Sequence, residues 1–134
     1  MNTSSTLPRR LAMDSLVAIE EAGKYANLEI DAVLRRHILF SADSALYTRL
    51  VYGVTEKRIT LDFVIDTYAR ETKAAGMDPY VRTALRLGIY QLAFCDRIPA
   101  HAAVSETVEL AARAKKGFVN AILRAFLRDG GVIR

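Results

Sequence analysis

The residues of this 134-residue chain that could do chemistry are few and far apart. Cys95 is its single cysteine and closes an apolar stretch with no His or Lys beside it, so it reads as a small core residue, not a nucleophile. His37 and His101 lie in separate segments and make no ligand pair with Cys95, so no metal site is expected. His101, two residues after Pro99, falls at the start of a helix. Asp62 and Asp66, four apart on one helix, have the spacing of paired carboxylates for acid/base work, but also that of an ordinary exposed face. The seven glycines (Gly23, Gly53, Gly76, Gly88, Gly117, Gly130, Gly131) are too scattered for a phosphate cradle. No catalytic residue, metal ligand or cofactor-binding residue is assigned.

Charge is the remaining resource. The formal net charge is +4, from 19 Lys+Arg against 15 Asp+Glu. From Arg113 onward, Arg113, Lys115, Lys116, Arg124, Arg128 and Arg134 face only Asp129, a net of +5, and the rest of the chain carries −1. Arg9 and Arg10 form a smaller pair near the other end. Localised positive charge attracts polyanions by releasing their counterions. An imbalance of this size also serves plain solubility.

The elements that would position these groups are helical. With 51% hydrophobic and 25% charged residues, the chain reads as one globular domain, residues 1–134, able to fold around a core without covalent staples. The longest charge-free stretch around Cys95, Leu87 to Cys95, is far short of a membrane span, and Met1 to Thr6 opens no secretory pattern, so a cytoplasmic location is expected. Apolar residues recur at helical spacing and no period-two run is sustained, which predicts an all-α bundle of about seven helices.

The first helix opens near Pro8 and carries Ala12, Leu16, Ile19 and Gly23 on one face. The second spans Leu28 to His37. A third, capped by Ser41 or Asp43, presents Ala42, Leu46, Leu50 and Val51 and reaches Gly53 as its stop or kink. A fourth runs from Thr60 to Ala74 and ends at Gly76. Asp78 and Pro79 open a fifth, to Asp96, apolar on nearly every side and therefore central; Arg86 within it must be held by an acid or a carbonyl. Beyond Pro99 a sixth buries Val104, Thr107, Val108 and Ala111, with Lys115 and Lys116 in its last turn before Gly117. The seventh buries Val119, Ile122, Leu123 and Phe126, with Asn120, Arg124 and Arg128 on its other side. Gly130 and Gly131 then open a linker near 130–134.

The stretches Leu85-Arg86-Leu87-Gly88-Ile89-Tyr90-Gln91-Leu92, Ile98-Pro99-Ala100-His101-Ala102-Ala103-Val104, Glu106-Thr107-Val108-Glu109-Leu110-Ala111 and Gly117-Phe118-Val119-Asn120-Ala121-Ile122-Leu123-Arg124, in that order, resemble the NusB-like all-helical RNA-binding domain. The likeness runs from about Pro8 to Asp129. Within that family the chain is most similar to the N-terminal domain of the RsmB (Sun) rRNA cytosine-5 methyltransferases. The antitermination factors read Tyr-Glu-Leu where this chain has Tyr90-Gln91-Leu92, and Gly-Val-Leu-Asp where it has Ala121-Ile122-Leu123-Arg124. Leu50-Val51-Tyr52-Gly53-Val54, with Arg58 beyond, also resembles the methyltransferase branch.

The resemblance implies a non-catalytic domain that binds RNA, ribosomal RNA above all, and positions it for a methyltransferase domain. S-adenosylmethionine and the catalytic cysteines are expected in that domain, none of it in this chain, which ends where the linker should begin. A second partner is its own C-terminal methyltransferase domain; neither DNA nor a membrane is expected. One alternative is a transcription antitermination factor binding RNA with a small-subunit ribosomal protein. Another is a protein-docking module that touches no RNA.

The candidate RNA-binding residues are Arg9, Arg10, Lys115, Lys116, Phe118, Asn120, Arg124 and Arg128. Arg124 and Arg128, four apart, emerge about 6 Å from each other, close to the spacing of phosphates, although Arg128 can equally answer a helix dipole. Lys115-Lys116-Gly117 also suits a helix end. Phe118 could stack an unpaired base or close a glycine-terminated helix against Ala112 or Arg113. Asn120 could touch RNA or cap the last helix. Arg9 and Arg10 match, by resemblance, an arginine-rich helix start that meets RNA.

Overall fold

The computed structural model describes residues 6–133. Within them the chain forms six α-helices and no strand: α1 (Leu7–Ala22), α2 (Ala26–Arg36), α3 (Ser41–Tyr68), α4 (Pro79–Phe94), α5 (Ala100–Val108) and α6 (Lys116–Arg128). Short 3-10 turns at Ala74–Gly76 and Arg113–Lys115 precede α4 and α6. Met1 to Ser5, and Arg134 at the other end, lie outside the described residues.

The centre of the bundle is α4, as its composition predicts. Every residue from Val81 to Gln91 is buried, and α1, α3, α5 and α6 all pack against it. Its start follows from Asp78-Pro79: the Asp78 carboxylate accepts from the amides of Tyr80 at 3.0 Å and Val81 at 3.4 Å, and Pro79 fills a first-turn position that needs no donor. Tyr47, Leu50, Leu61, Ile65, Leu85, Leu87, Ile89 and Leu123 are fully enclosed and form the common core.

The expected third and fourth helices are one. α3 runs for 28 residues without a break at Gly53. The glycine serves packing: a Cβ there would stand 2.1 Å from Cζ and Oη of Tyr90, so the gap it leaves is occupied by the tip of that ring. The capping expected of Ser41 or Asp43 is also absent; Phe40 holds the capping position and makes no side-chain bond, while Asp43 lies in the first turn. At its other end α3 stops at Tyr68, short of Ala74, and Ala74 and Gly76 belong to a separate 3-10 turn.

Gly88 plays on α4 the part Gly53 plays on α3. A Cβ at Gly88 would meet Leu123 Cδ1 at 2.5 Å, so the absence of a side chain lets α6 approach the central helix. The expected end of α4 at Asp96 shortens to Phe94. The sixth expected helix ends at Val108, which places Lys115 and Lys116 outside it. Gly117 then needs no left-handed conformation, and positive φ occurs only at Gly23, Gly130 and Gly131 among the described residues.

Three clusters pair many of the polar groups inside the bundle, while Arg82 Nε and Thr83 Oγ1 are buried without a hydrogen bond among the described residues. Ser15 donates to Glu29 and shares a hydrogen bond with Tyr47, joining α1, α2 and α3. Gln91, fully buried, donates to the Leu87 carbonyl and to Thr107 while its Oε1 accepts from Arg9, joining α4, α5 and α1. In the third, Arg86 grips Asp62 through two bonds of 2.7 and 2.8 Å and reaches Glu20 at 3.2 Å, as its buried position requires.

Candidate nucleic-acid interface

α6 is the strongest amphipath of the chain, and that polarity builds the site. Val119, Ile122, Leu123 and Phe126, at three, four and seven residues, are buried against α4, α5 and α3. Helical geometry turns Arg124 and Arg128 to the opposite side, where both are exposed, with Lys116 and Asn120 on the rising edge of the same row. Four candidates therefore share one helix and one side. Asn120 does not cap the helix: it lies inside α6, and its Oδ1 accepts from Arg124 Nε at 3.1 Å, which steadies the guanidinium. No carboxylate among the described residues forms an ion pair with Arg124 or Arg128.

Lys115 and Lys116 require a correction that alters their meaning. They do not sit in a last helical turn, where cations would answer the dipole. Lys115 is the residue before α6 and Lys116 its first, and no side chain caps that end. Cations at a helix N-terminus oppose the dipole by about 0.3–1 kcal/mol each, so the structural motive for two lysines is gone. Glu109 offsets part of the cost by accepting from Lys116 at 3.3 Å on an exposed face. The Lys116 amide is already bonded to the Arg113 carbonyl of the preceding turn, so it is the lysine ammoniums that make this end suited to an anion.

Phe118 follows in the first turn of α6 and is 39% exposed. It does not close a glycine-terminated helix. It borders a groove of about 520 Å³, facing Tyr68, Met77 and Val81, with Lys115 and Arg70 also lining it. The far wall is the segment after Tyr68, which the sequence pattern had extended into a helix. Arg82 holds that wall in place, its Nη1 donating to the carbonyls of Ala74 at 3.0 Å and Met77 at 2.9 Å. Tyr68, Arg70 and the groove itself escaped sequence reasoning; the polar run Arg70-Glu71-Thr72-Lys73 was the available signal for an earlier helix end.

The arginine pair of the first helix is split by its phase. Arg10 is exposed, and its charge counteracts the rise that burial imposes on the Asp14 carboxyl. Arg9 is 5% exposed, its Nε donates to Gln91 at 2.8 Å, and burial lowers its pKa. Its structural work is internal, so it is taken off the interface. The start of α1 reaches α5 and that of α6 the residue just after it: Thr6 donates to Glu106 at 2.8 Å, and Lys116 to Glu109.

The other chemistry-bearing residues are dispersed. Asp62 is committed to Arg86, and Asp66 accepts from the Ala74 amide at 2.7 Å, so the two carboxylates do not act together. Burial pushes the Cys95 thiol up, away from thiolate character. Among the described residues no three of His, Cys, Asp and Glu converge as a metal site, and no helix is long and apolar enough to cross a membrane.

A model of the NusB family matches residues 6–128. The chain belongs to that family. A protein of Bacillus subtilis named probable ribosomal RNA small subunit methyltransferase B is 35% identical over 129 residues, covering 93% of this chain but 28% of the relative. The chain thus spans under a third of that relative's length. The transcription antitermination protein NusB of Leifsonia xyli is 38% identical over 100 residues, 68% of this chain and 69% of its own length. The solved structure of T. maritima NusB superposes with a TM-score of 0.81 at 20% identity, covering 96% of this chain and 94% of that one, which establishes the fold. All of the resembling segments in the sequence fall within the matched span, and the fold expected of them is the one observed.

Proposed function

We propose that this NusB-family chain is the RNA-binding domain of a small-subunit rRNA methyltransferase. In this reading the row of half-buried Lys116 and Asn120 and exposed Arg124 and Arg128, with Lys115 and Arg10, holds phosphates, and Phe118 stacks an unpaired base at the mouth of the groove. The observation that carries it is the Arg124–Arg128 pair, turned outward on a helix whose other face is core and without a carboxylate partner among the described residues. Two cations held at that spacing repel one another unless an anion lies across them. The match over 93% of the chain to a protein named for ribosomal RNA methylation supports ribosomal RNA as the substrate class.

The chain's share of the work is positioning. S-adenosylmethionine would supply the methyl group, and none of this chain's residues is assigned to it; the gaps at Gly53 and Gly88, where a cradle would need open backbone, are filled by Tyr90 and Leu123. The methyl-transfer residues belong to a further domain.

The test is titration of the chain with small-subunit rRNA fragments over a range of salt. The logarithm of affinity should fall linearly with the logarithm of salt concentration, and Arg124→Ala with Arg128→Ala should reduce the magnitude of that slope by up to about two. An unchanged slope removes both residues from the interface, and no RNA signal at all favours a module that only docks on protein. The coverage of 69% of the L. xyli antitermination protein supports a second reading, an antitermination factor acting with a small-subunit ribosomal protein. Capture of RNA that requires the ribosomal protein would favour it over the first.

A further inference from the structure

Away from α6, the outer side of α3 carries an apolar surface that the RNA reading does not use. Tyr52, Ile59 and Phe63 follow one another at seven and four residues, one side of a helix, and Ile59 and Phe63 are 80% and 67% exposed. Beside Phe63 the chain comes back after α6. Gly130 and Gly131, both left-handed, reverse its direction, and the Gly131 amide donates to the Phe126 carbonyl at 3.0 Å. Tyr68 Oη anchors the return by donating to Asp129 at 2.6 Å. Val132, 62% exposed, and Ile133 then form a groove of about 170 Å³ with Phe63 and Thr67. Val132 and Ile133 thus lie against α3, and the path of the chain at Ile133 is fixed at the edge of the apolar surface.

We propose that this surface is the seat of the methyltransferase domain, on a chain that continues past it; the inference rests on the reading given above. Three observations choose that occupant. The relative named for rRNA methylation is more than three times the length matched here, so most of such a protein lies outside this domain. The surface is also too small for a free partner or a second copy: four side chains of these types expose on the order of 400 Å², against about 800 Å² per partner in stable complexes. A tether changes that requirement, because a linked domain meets the surface at an effective concentration of about a millimolar. Finally, α3 has no excess of base, with Arg49, Lys57 and Arg58 against Asp43, Glu56, Asp62 and Asp66, so a polyanion is not what covers it.

The experiment compares the 134-residue chain with the full translation product of its gene by hydroxyl-radical footprinting. Oxidation of Ile59, Phe63 and Val132 should fall at least about fivefold in the long product, while Phe40, on the loop before α3, reacts equally in both. Ile59→Lys with Phe63→Glu, at exposed positions that leave the core intact, should restore Val132 oxidation in the long product, lower methyl transfer to small-subunit rRNA, and leave RNA affinity of the short chain unchanged. Equal oxidation of Ile59 and Phe63 in a long product that does carry a methyltransferase domain overturns the docking surface and leaves the RNA reading standing. Protection already present in the short chain, and lost on dilution, makes the occupant a second copy and overturns it as well. A translation product without a methyltransferase domain overturns both.

Discussion

Two helices of this protein carry arginines four residues apart, and the two pairs have opposite fates. On α4, Arg82 and Arg86 are buried among α1, α3 and the Ala74–Met77 wall, where Glu20 and Asp62 meet them with charge-assisted bonds. On α6, Arg124 and Arg128 face outward, one resting on an asparagine and neither in an ion pair among the described residues. Spacing and residue type are identical. What separates them is which side of the helix is apolar, and whether another helix delivers a carboxylate. The inward pair holds the fold, and through Arg82 it also holds the groove beside Phe118. The outward pair is tied up by no carboxylate among the described residues and is available to a ligand.

Breaking the inward pair should produce the largest effect. Arg86→Ala leaves Asp62 and Glu20 without the guanidinium they share, inside a partly buried site. The expected loss is about 3 kcal/mol, read as a lower urea midpoint at unchanged m value. The corresponding change on α6 should not approach it. Next comes the contact that ties the two helices together. Gly88→Ala drives a methyl group against the fully buried side chain of Leu123, which must shift within the core. A destabilisation of about 2 kcal/mol is expected, with weaker RNA binding only in so far as α6 shifts. A neutral outcome would mean that α6 is seated less closely than the structure shows.

The contrast also explains what the sequence could and could not disclose. The all-α class, the central position of α4 and its Asp78-Pro79 start were readable because local pattern decides them: an apolar run, a capping side chain and a proline in succession. Arg86 could be assigned an acid or a carbonyl in advance, since a guanidinium buried without a partner is prohibitive, but Glu20 and Asp62 could not be named. Gly53 misled for the same reason. A glycine inside a helix suggests a kink when only neighbours are considered, whereas its cause here is Tyr90 on another helix. Lys115-Lys116-Gly117 was ambiguous at the level of pattern, because the same three residues suit the end of one helix or the start of the next. The end of α5 at Val108 decides between them, and no proline or glycine marks it; turns from Thr107 and Val108 to Leu110 and Ala111 make the stop. Arg9 and Arg10 differ only in phase at a helix start, and one step of 100° takes a side chain from solvent to Gln91.

A pH series sharpens the inward half of the comparison. Burial raises the pKa of the Glu20 carboxyl, but the guanidiniums of Arg86 and Arg82 outweigh it and hold the group below its ordinary value of 4.5. The folded state therefore prefers the ionised form. Its contribution is complete above about pH 4.5 and is lost as the pH falls through the lower folded value. The stability advantage of the native chain over Glu20→Gln, measured by urea unfolding, should accordingly be constant near neutrality and shrink in acid. Asp14, whose pKa burial raises, acts in the opposite sense, so the difference between these two proteins is the informative quantity rather than either curve alone. An advantage that grows in acid would contradict the pairing.

The smallest effect expected is the most discriminating. In Arg124→Ala with Arg128→Ala, relief of like-charge repulsion gains about 0.2–0.5 kcal/mol, while loss of Arg128 from the last turn of α6 forfeits about 0.3–1 kcal/mol of favourable dipole interaction. The two nearly cancel, and removing the bond from Arg124 to Asn120 uncovers no buried atom because the contact is exposed. Unfolding stability should stay within about 0.5 kcal/mol of the native chain. A loss of 1.5 kcal/mol or more would place the outward pair with the inward one, as structure-bearing residues, and the ligand would no longer be needed to explain why two cations are kept side by side.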